Sequence, residues 1–308
     1  MTPVFLTVDT EFLWRHHLAG LDWRDIYDRS IEPAGVGLGY QLRELARHRL
    51  KACFFVDPMP ALVFGIEPVR RMVCTVLDAG QEVQLHLHAQ WADPARFELW
   101  DYDAAEQADL IAQAADLLVQ AGAPRPIAFR AGSYAADDRT LDALAAQGFL
   151  YDSSHNGAMA PRWSRTTLPV RQIAPVRHRG LVEVPVTVIE DVAGRLRTFQ
   201  LCALSAAEAV AALDHAAAHH HAAVTIVSHG FEFATRVGTR PNRVHRDRFS
   251  RLCAHLSTVG TTFRTSHFTD RPTLPLDRDE RPLPPSPWRR LRRQGEQLWS
   301  NWVEERAA

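Results

Sequence analysis

The sequence predicts an α/β protein, a closed or nearly closed (β/α) barrel with a polar mouth, from three observations. Short apolar runs alternate with amphipathic stretches along most of the chain. Each of five such runs ends in a polar or charged side chain: Asp9, His86, Arg130, Asp152 and His229. Strand C-terminal ends are where barrels build their sites. The 308 residues are enough for a substantial core in one large domain or two smaller ones. With 35 Lys+Arg against 36 Asp+Glu there is no charge excess to recruit a polyanion, so no nucleic-acid partner is implied. Cys53, Cys74, Cys202 and Cys253 lack C-x-x-C spacing and read as free thiols. The N-terminus has no basic region before an apolar one, and no run of about 18 apolar residues occurs, so a cytoplasmic location is the expectation.

Taken in order, Val4 to Val8 is a buried strand ending at Asp9-Thr10-Glu11. Asp9 and Glu11 share a side if the strand continues, and Thr10 takes the other. Residues 12–33 read as an irregular loop above that end. Helix 40–49 follows, then a strand over 51–57 stopped by Pro58 and Pro60, and a helix over 69–79 ended by Gly80. In the next strand Val83, Leu85 and Leu87 alternate with Gln84, His86 and His88, so both imidazoles leave one face beside Trp91. Two such histidines and a carboxylate from elsewhere would form a three-ligand metal site with an open position; two hydrogen-bonded, partly buried histidines are the other reading. A helix is expected over 103–120, a strand over 126–130, a helix over 138–147, a strand end over 148–154 and a strand over 181–186. Ser205 and Glu208 form a capping box opening a helix to 219. Strand 224–229, helix 246–258 and strand 262–265 complete the pattern. Glu232 reads equally as a carboxylate in the mouth and as an exposed loop acid.

After residue 270 the composition changes, dividing a barrel domain, 1–270, from a Pro-rich linker or strap and C-terminal amphipathic helix, 271–308. Six prolines lie between Arg271 and Pro287. Trp288, Leu291, Leu298, Trp299, Trp302 and Val303 then recur at helical spacing, with Arg289, Arg290, Arg292 and Arg293 among them. Such a helix either docks its apolar face on the barrel or a partner subunit, or lies on a membrane surface.

In motif order the chain resembles the polysaccharide deacetylase family, the NodB-homology or carbohydrate esterase 4-like hydrolases, as a divergent member, over about Val4 to Thr265. Val8-Asp9-Thr10-Glu11 stands at the family's Phe-Asp-Asp-Gly motif, and Gly80 to His86 at the approach to its His-x-x-x-His motif. Phe129-Arg130-Ala131-Gly132-Ser133-Tyr134 is similar to Arg-Pro-Pro-Tyr-Gly. Gly148 to Ser154 looks like the strand that follows, and Val227-Ser228-His229 like the last, histidine-bearing motif. The resemblance implies a distorted (β/α) barrel of about seven strands that hydrolyses an acetamide on a sugar with help from a metal. It implies Asp9 as general base, Arg130 as the cation that keeps it ionised, and His229 as general acid. Two positions depart from the pattern: Thr10 occupies the place of the metal-binding Asp, and Gln90 that of the second His. Glu11 and His88, one or two residues away, would restore with His86 one-carboxylate, two-histidine ligation of a divalent ion, foremost zinc. Asp9 as ligand with Glu11 as base is the alternative, and both assignments stay open. Trp91, Tyr134 and Phe231 are expected as substrate-binding walls. The expectation is a metal-dependent hydrolase of non-peptide carbon–nitrogen bonds, removing acetyl groups from an N-acetylated sugar, a polysaccharide precursor or a related small amide. A catalytically inactive glycan- or protein-binding scaffold and a metal-free amidase are the alternatives.

Overall fold

The computed structural model describes residues 1–305; the last three residues of the predicted C-terminal segment lie outside them. Its main sheet is built from β1 (Thr2–Thr10), β2 (Cys53–Val56), β3 (Glu82–Leu87), β4 (Ala128–Ala131), β5 (Tyr151–Asp152), β6 (Val176–His178) and β7 (Leu181–Glu183), with two later strands. A separate hairpin pairs β8 (Val188–Val192) with β9 (Arg195–Thr198). The later strands are β10 (Val224–His229) and β11 (Phe263–Thr265), and the order is β10-β1-β2-β3-β4-β5-β7-β6 with β11 beside β1. All neighbours in the sheet are parallel except β6 and β7. The open edge past β7 is carried back to β10 by backbone bonds from Thr187 to Thr225 and from Leu201 to Val227, which nearly closes a distorted barrel.

Alternation along β1 explains what stands where. Val4, Leu6 and Val8 pack toward the surrounding helices, while Phe5 joins Cys53, Phe55, Ala128, Tyr151, Val184 and Phe268 inside the barrel. Thr7 and Asp9 continue that inward row. Asp9 is in register with His229 and with Phe55, and His86 with Arg130, so the chemistry-bearing residues stand on adjacent strand ends. The helices are α1 (Trp14–Leu18), α2 (Trp23–Ser30), α3 (Leu38–His48), α4 (Ala61–Phe64), α5 (Glu67–Asp78), α6 (Ala104–Gln120), α7 (Asp138–Ala146), α8 (Ala206–Ala218), α9 (Arg243–Thr258) and α10 (Pro287–Trp299). The capping box of Ser205 and Glu208 opens α8 as the sequence predicts.

Four expectations need correcting. Residues 12–33 are not one irregular loop: they hold α1 and α2, the second started by Asp22 accepting from the backbone of Arg24 and Asp25. Only Tyr151 and Asp152 of residues 148–154 pair as strand, because Leu150 and Tyr151 already lean on Ile127 by single bonds. The strand expected over 181–186 stops at Glu183, since the chain then crosses toward β10. The β8–β9 hairpin, turned at Gly194 with φ +79°, was not anticipated. The Pro-rich segment is a strap whose Leu283 bridges Ile189.

Candidate active site

At the C-terminal ends of β1, β3, β4 and β10 is a cavity of about 250 Å³, lined by Asp9, Glu11, His86, His88, Ser133, Tyr134, Gln200, His229 and Phe231 among others. Two larger clefts, about 660 and 620 Å³, lie against the strap, away from these strand ends. We take the smaller one as the site, because the titratable side chains converge there.

Its first group is Glu11 with His86 and His88, whose ligating atoms all fall within 4.8 Å of one another. His86 Nε2 lies 3.1 Å from Glu11 Oε2, and His88 Nε2 also faces that oxygen. The Nδ1 of His86 is 2.8 Å from the backbone carbonyl of Arg130, which can only accept, so Nδ1 carries a proton and Nε2 is the nitrogen available to a metal. Burial works against ionised Glu11, but the two imidazoles outweigh it and hold the carboxyl well below its usual range. Burial likewise works against protonated His88, and Glu11 outweighs that, raising the imidazole to about 9. Gly132 lets the His88 ring approach the backbone: a Cβ there would stand 2.5 Å from His88 Nδ1. These donors fit a divalent ion of borderline softness by type and by convergence.

The second group is Asp9 and Arg130. The guanidinium is wholly buried, donates to Asp9 Oδ1 at 2.6 Å and to Thr7 Oγ1 at 2.8 Å, and lies 4.4 Å over the Phe55 ring. Further bonds to Ser153 leave it fixed. The third group is His229 and Glu232. His229 Nδ1 donates to Glu232 Oε1 at 2.8 Å, while Nε2 points toward Asp9 Oδ2, 3.7 Å away. Burial disfavours the imidazolium, yet Glu232, with Asp9 and Glu11 behind it, raises His229 to about 9.

The sequence-predicted residues gather here with two exceptions, the first being Asp152, which is wholly buried and accepts from Ser154 instead of lining the cavity. Trp91 does not line the cavity; it is buried against Trp14, His17 and Phe64, because α1 covers it. Tyr134 and Phe231 do line it, and the buried Tyr134 hydroxyl has no hydrogen-bond partner among the described residues. Glu232 is a buried mouth carboxylate rather than an exposed loop acid. Thr10 turns back to the Val8 carbonyl and leaves the cavity to its neighbours.

Three residues were missed. Gln200, brought in by the unanticipated hairpin, donates to Glu232; nothing near it in sequence marks it. Asp57 ends β2 as Asp9 ends β1, and that parallel was a readable signal. Burial pushes its carboxyl up to about 6 against the pull of His88 and His86. Gln90, read as a lost ligand, instead places its amide 3.2 Å from His88 Nδ1, and its buried Oε1 has no partner. With the amide turned over, Oε1 accepts from Nδ1–H and frees the Nε2 lone pair.

Comparison with known proteins agrees with this fold. No family model matches the chain. A peptidoglycan deacetylase-like protein of Gibberella zeae is 28% identical over 133 residues, which cover 42% of this chain and only 36% of that protein's length. Among solved structures, a provisionally assigned polysaccharide deacetylase from Mycobacterium smegmatis superposes with a TM-score of 0.58 at 18% identity, covering 91% of this chain and 94% of that one. A 4-alpha-glucanotransferase from Thermococcus litoralis reaches 0.52 at 8% identity, covering 87% of this chain and 40% of that one. Likeness at such identities speaks for the fold alone. In fold the chain is similar to the polysaccharide deacetylases.

Proposed function

We propose that this protein is a metal-dependent hydrolase of non-peptide carbon–nitrogen bonds that removes an acetyl group from an N-acetylated sugar. One observation carries the reading. A carboxylate shared by two imidazoles lines the same small cavity as Asp9, paired with the buried Arg130, and His229, paired with the buried Glu232. Glu11, His86 and His88 are the residues that would hold the ion. The chemistry supplied by a bound divalent ion, foremost zinc, is polarisation of an amide carbonyl and acidification of a water.

The chain's own residues do the rest. Asp9, whose Oδ1 accepts from Arg130, takes a proton as water oxygen bonds to the acetyl carbon. His229, protonated up to about pH 9, gives a proton to the nitrogen as the C–N bond breaks, and acetate and an amine leave. Glu232 holds the Nδ1 proton and so aims Nε2 into the cavity. Tyr134, with its free hydroxyl, is the available donor to an amide or sugar oxygen, and Phe231, which packs against His229, is a wall on which a sugar ring can rest.

The test is an acetate-release screen on N-acetylated sugars with zinc-loaded and chelator-stripped protein. Release that needs the ion is the predicted result. Glycan binding without acetate release in the loaded protein would favour a non-catalytic scaffold instead.

A further inference from the structure

The C-terminal helix is mounted inside out. Its polar residues face the barrel: Arg293 donates to Asp191 at 2.6 Å and to Glu208 at 3.2 Å. Arg248 reaches Glu296 at 3.1 Å, and Asn242 donates to Ser300 at 2.9 Å. The apolar residues face out, with Trp288 81%, Leu291 61%, Leu298 60% and Trp299 58% exposed. These four fall within an arc of roughly 100° of the helix circumference. Trp302 and Val303, in the π turn Ser300–Glu304, extend the exposed row. A helix that docks for core burial puts its apolar stripe inward. Here the ion pairs hold the helix, and the stripe is left to another surface.

Charge selects that surface. Arg290 and Arg292 lie to either side of the stripe; among the described residues Arg290 has no ion pair, and Arg292 meets only Glu296, which Arg248 already holds. From Pro287 onward the sequence holds five arginines against three acids, Glu296, Glu304 and Glu305. A second copy would therefore bring more guanidinium than carboxylate. One stripe about 26 Å long and about 10 Å wide also falls short of the roughly 600 Å² per partner at the low end of stable interfaces. Tryptophan and leucine beside arginine on an exposed helix match the boundary between lipid chains and anionic headgroups. Among the described residues no helix is long and apolar enough to cross a membrane.

We propose that α10 is an in-plane anchor that seats the barrel on an anionic lipid surface. The partners of the helix also set the orientation. Glu208 lies in the first turn of α8, Asn242 caps α9, and Glu305 accepts from the backbone of Arg236 in the loop after His229. Helices of a β/α repeat begin at the strands' C-terminal ends, so α10 runs along the rim of the mouth. Seating it places the mouth beside the bilayer surface.

The experiment is co-sedimentation of the full chain with vesicles of phosphatidylcholine alone and mixed with phosphatidylglycerol, together with sedimentation velocity without lipid. The wild type is expected to bind the anionic vesicles, less so as salt rises. Trp288→Ser/Trp299→Ser should weaken partitioning at least about tenfold, and Arg290→Gln about fivefold, with unfolding temperature unchanged because these side chains face solvent. Failure of the wild type to bind anionic vesicles overturns the proposal, as does equal binding by the variants. A concentration-dependent dimer that the tryptophan variant dissociates, with no lipid binding, assigns the stripe to self-association and also overturns it.

Discussion

Asp9 and Glu11 sit two residues apart at the end of β1, yet one faces a buried guanidinium and the other faces two imidazoles. Arg130 takes one oxygen of Asp9 in a fixed bond, leaving the other, 3.7 Å from His229 Nε2, toward the cavity. Glu11 is drawn into a cluster where carboxylate and imidazole nitrogens converge on a common space. The contrast teaches that a carboxylate's role follows from its partners more than from its place in a motif. It also supports one assignment where the sequence left two open: Glu11 as ligand and Asp9 as base.

The strongest way to break the contrast is to remove one member at a time. His86→Ala/His88→Ala should abolish ion binding and lower acetate release by at least about 10⁴-fold, read by elemental analysis beside kinetics. Asp9→Asn should cost about 10²–10⁴-fold in kcat while the ion stays bound. Arg130→Leu leaves Asp9 buried without its cation and should lower unfolding stability by about 3–5 kcal/mol, measured by denaturant titration. Gln90→Ala should weaken metal affinity about 10- to 100-fold, since His88 loses the group that orients it, and competition with a chromogenic chelator reads this directly.

The smallest effect concerns the acid side. Folded His229 keeps its proton to about 9, above the ordinary 6.5. The stability from its pairing with Glu232 is therefore complete below about pH 6.5 and is lost as pH rises through about 9. The alkaline limb of the rate profile should fall near the same pH. Glu232→Gln should move that limb down toward the ordinary imidazole value, and an unmoved limb would remove His229 from the acid role.

What the sequence revealed was what period and strand ends encode. The alternation of Val83, Leu85 and Leu87 with the histidines, and the polar strand ends, carried the barrel and most of its mouth. Features made by distant contacts were hidden. Gln200 arrives through a hairpin with no motif, and Trp91 is covered by a helix too short and too aromatic to show a clear period. Helical spacing identified α10 but said nothing of which face docks, because ion pairs with Asp191, Glu208 and Arg248 decide that. The contact Gln90 makes was hidden for a related reason: a motif position tells which residue is absent, not what the substitute touches.

The central claim is the division of labour between the two carboxylates. Elemental analysis of zinc-supplied wild type, Asp9→Asn and Glu11→Gln, dialysed side by side, tests it most directly. The account predicts one ion per chain in the wild type and in Asp9→Asn, and loss of the ion in Glu11→Gln. Zinc retained by Glu11→Gln and lost from Asp9→Asn would contradict it.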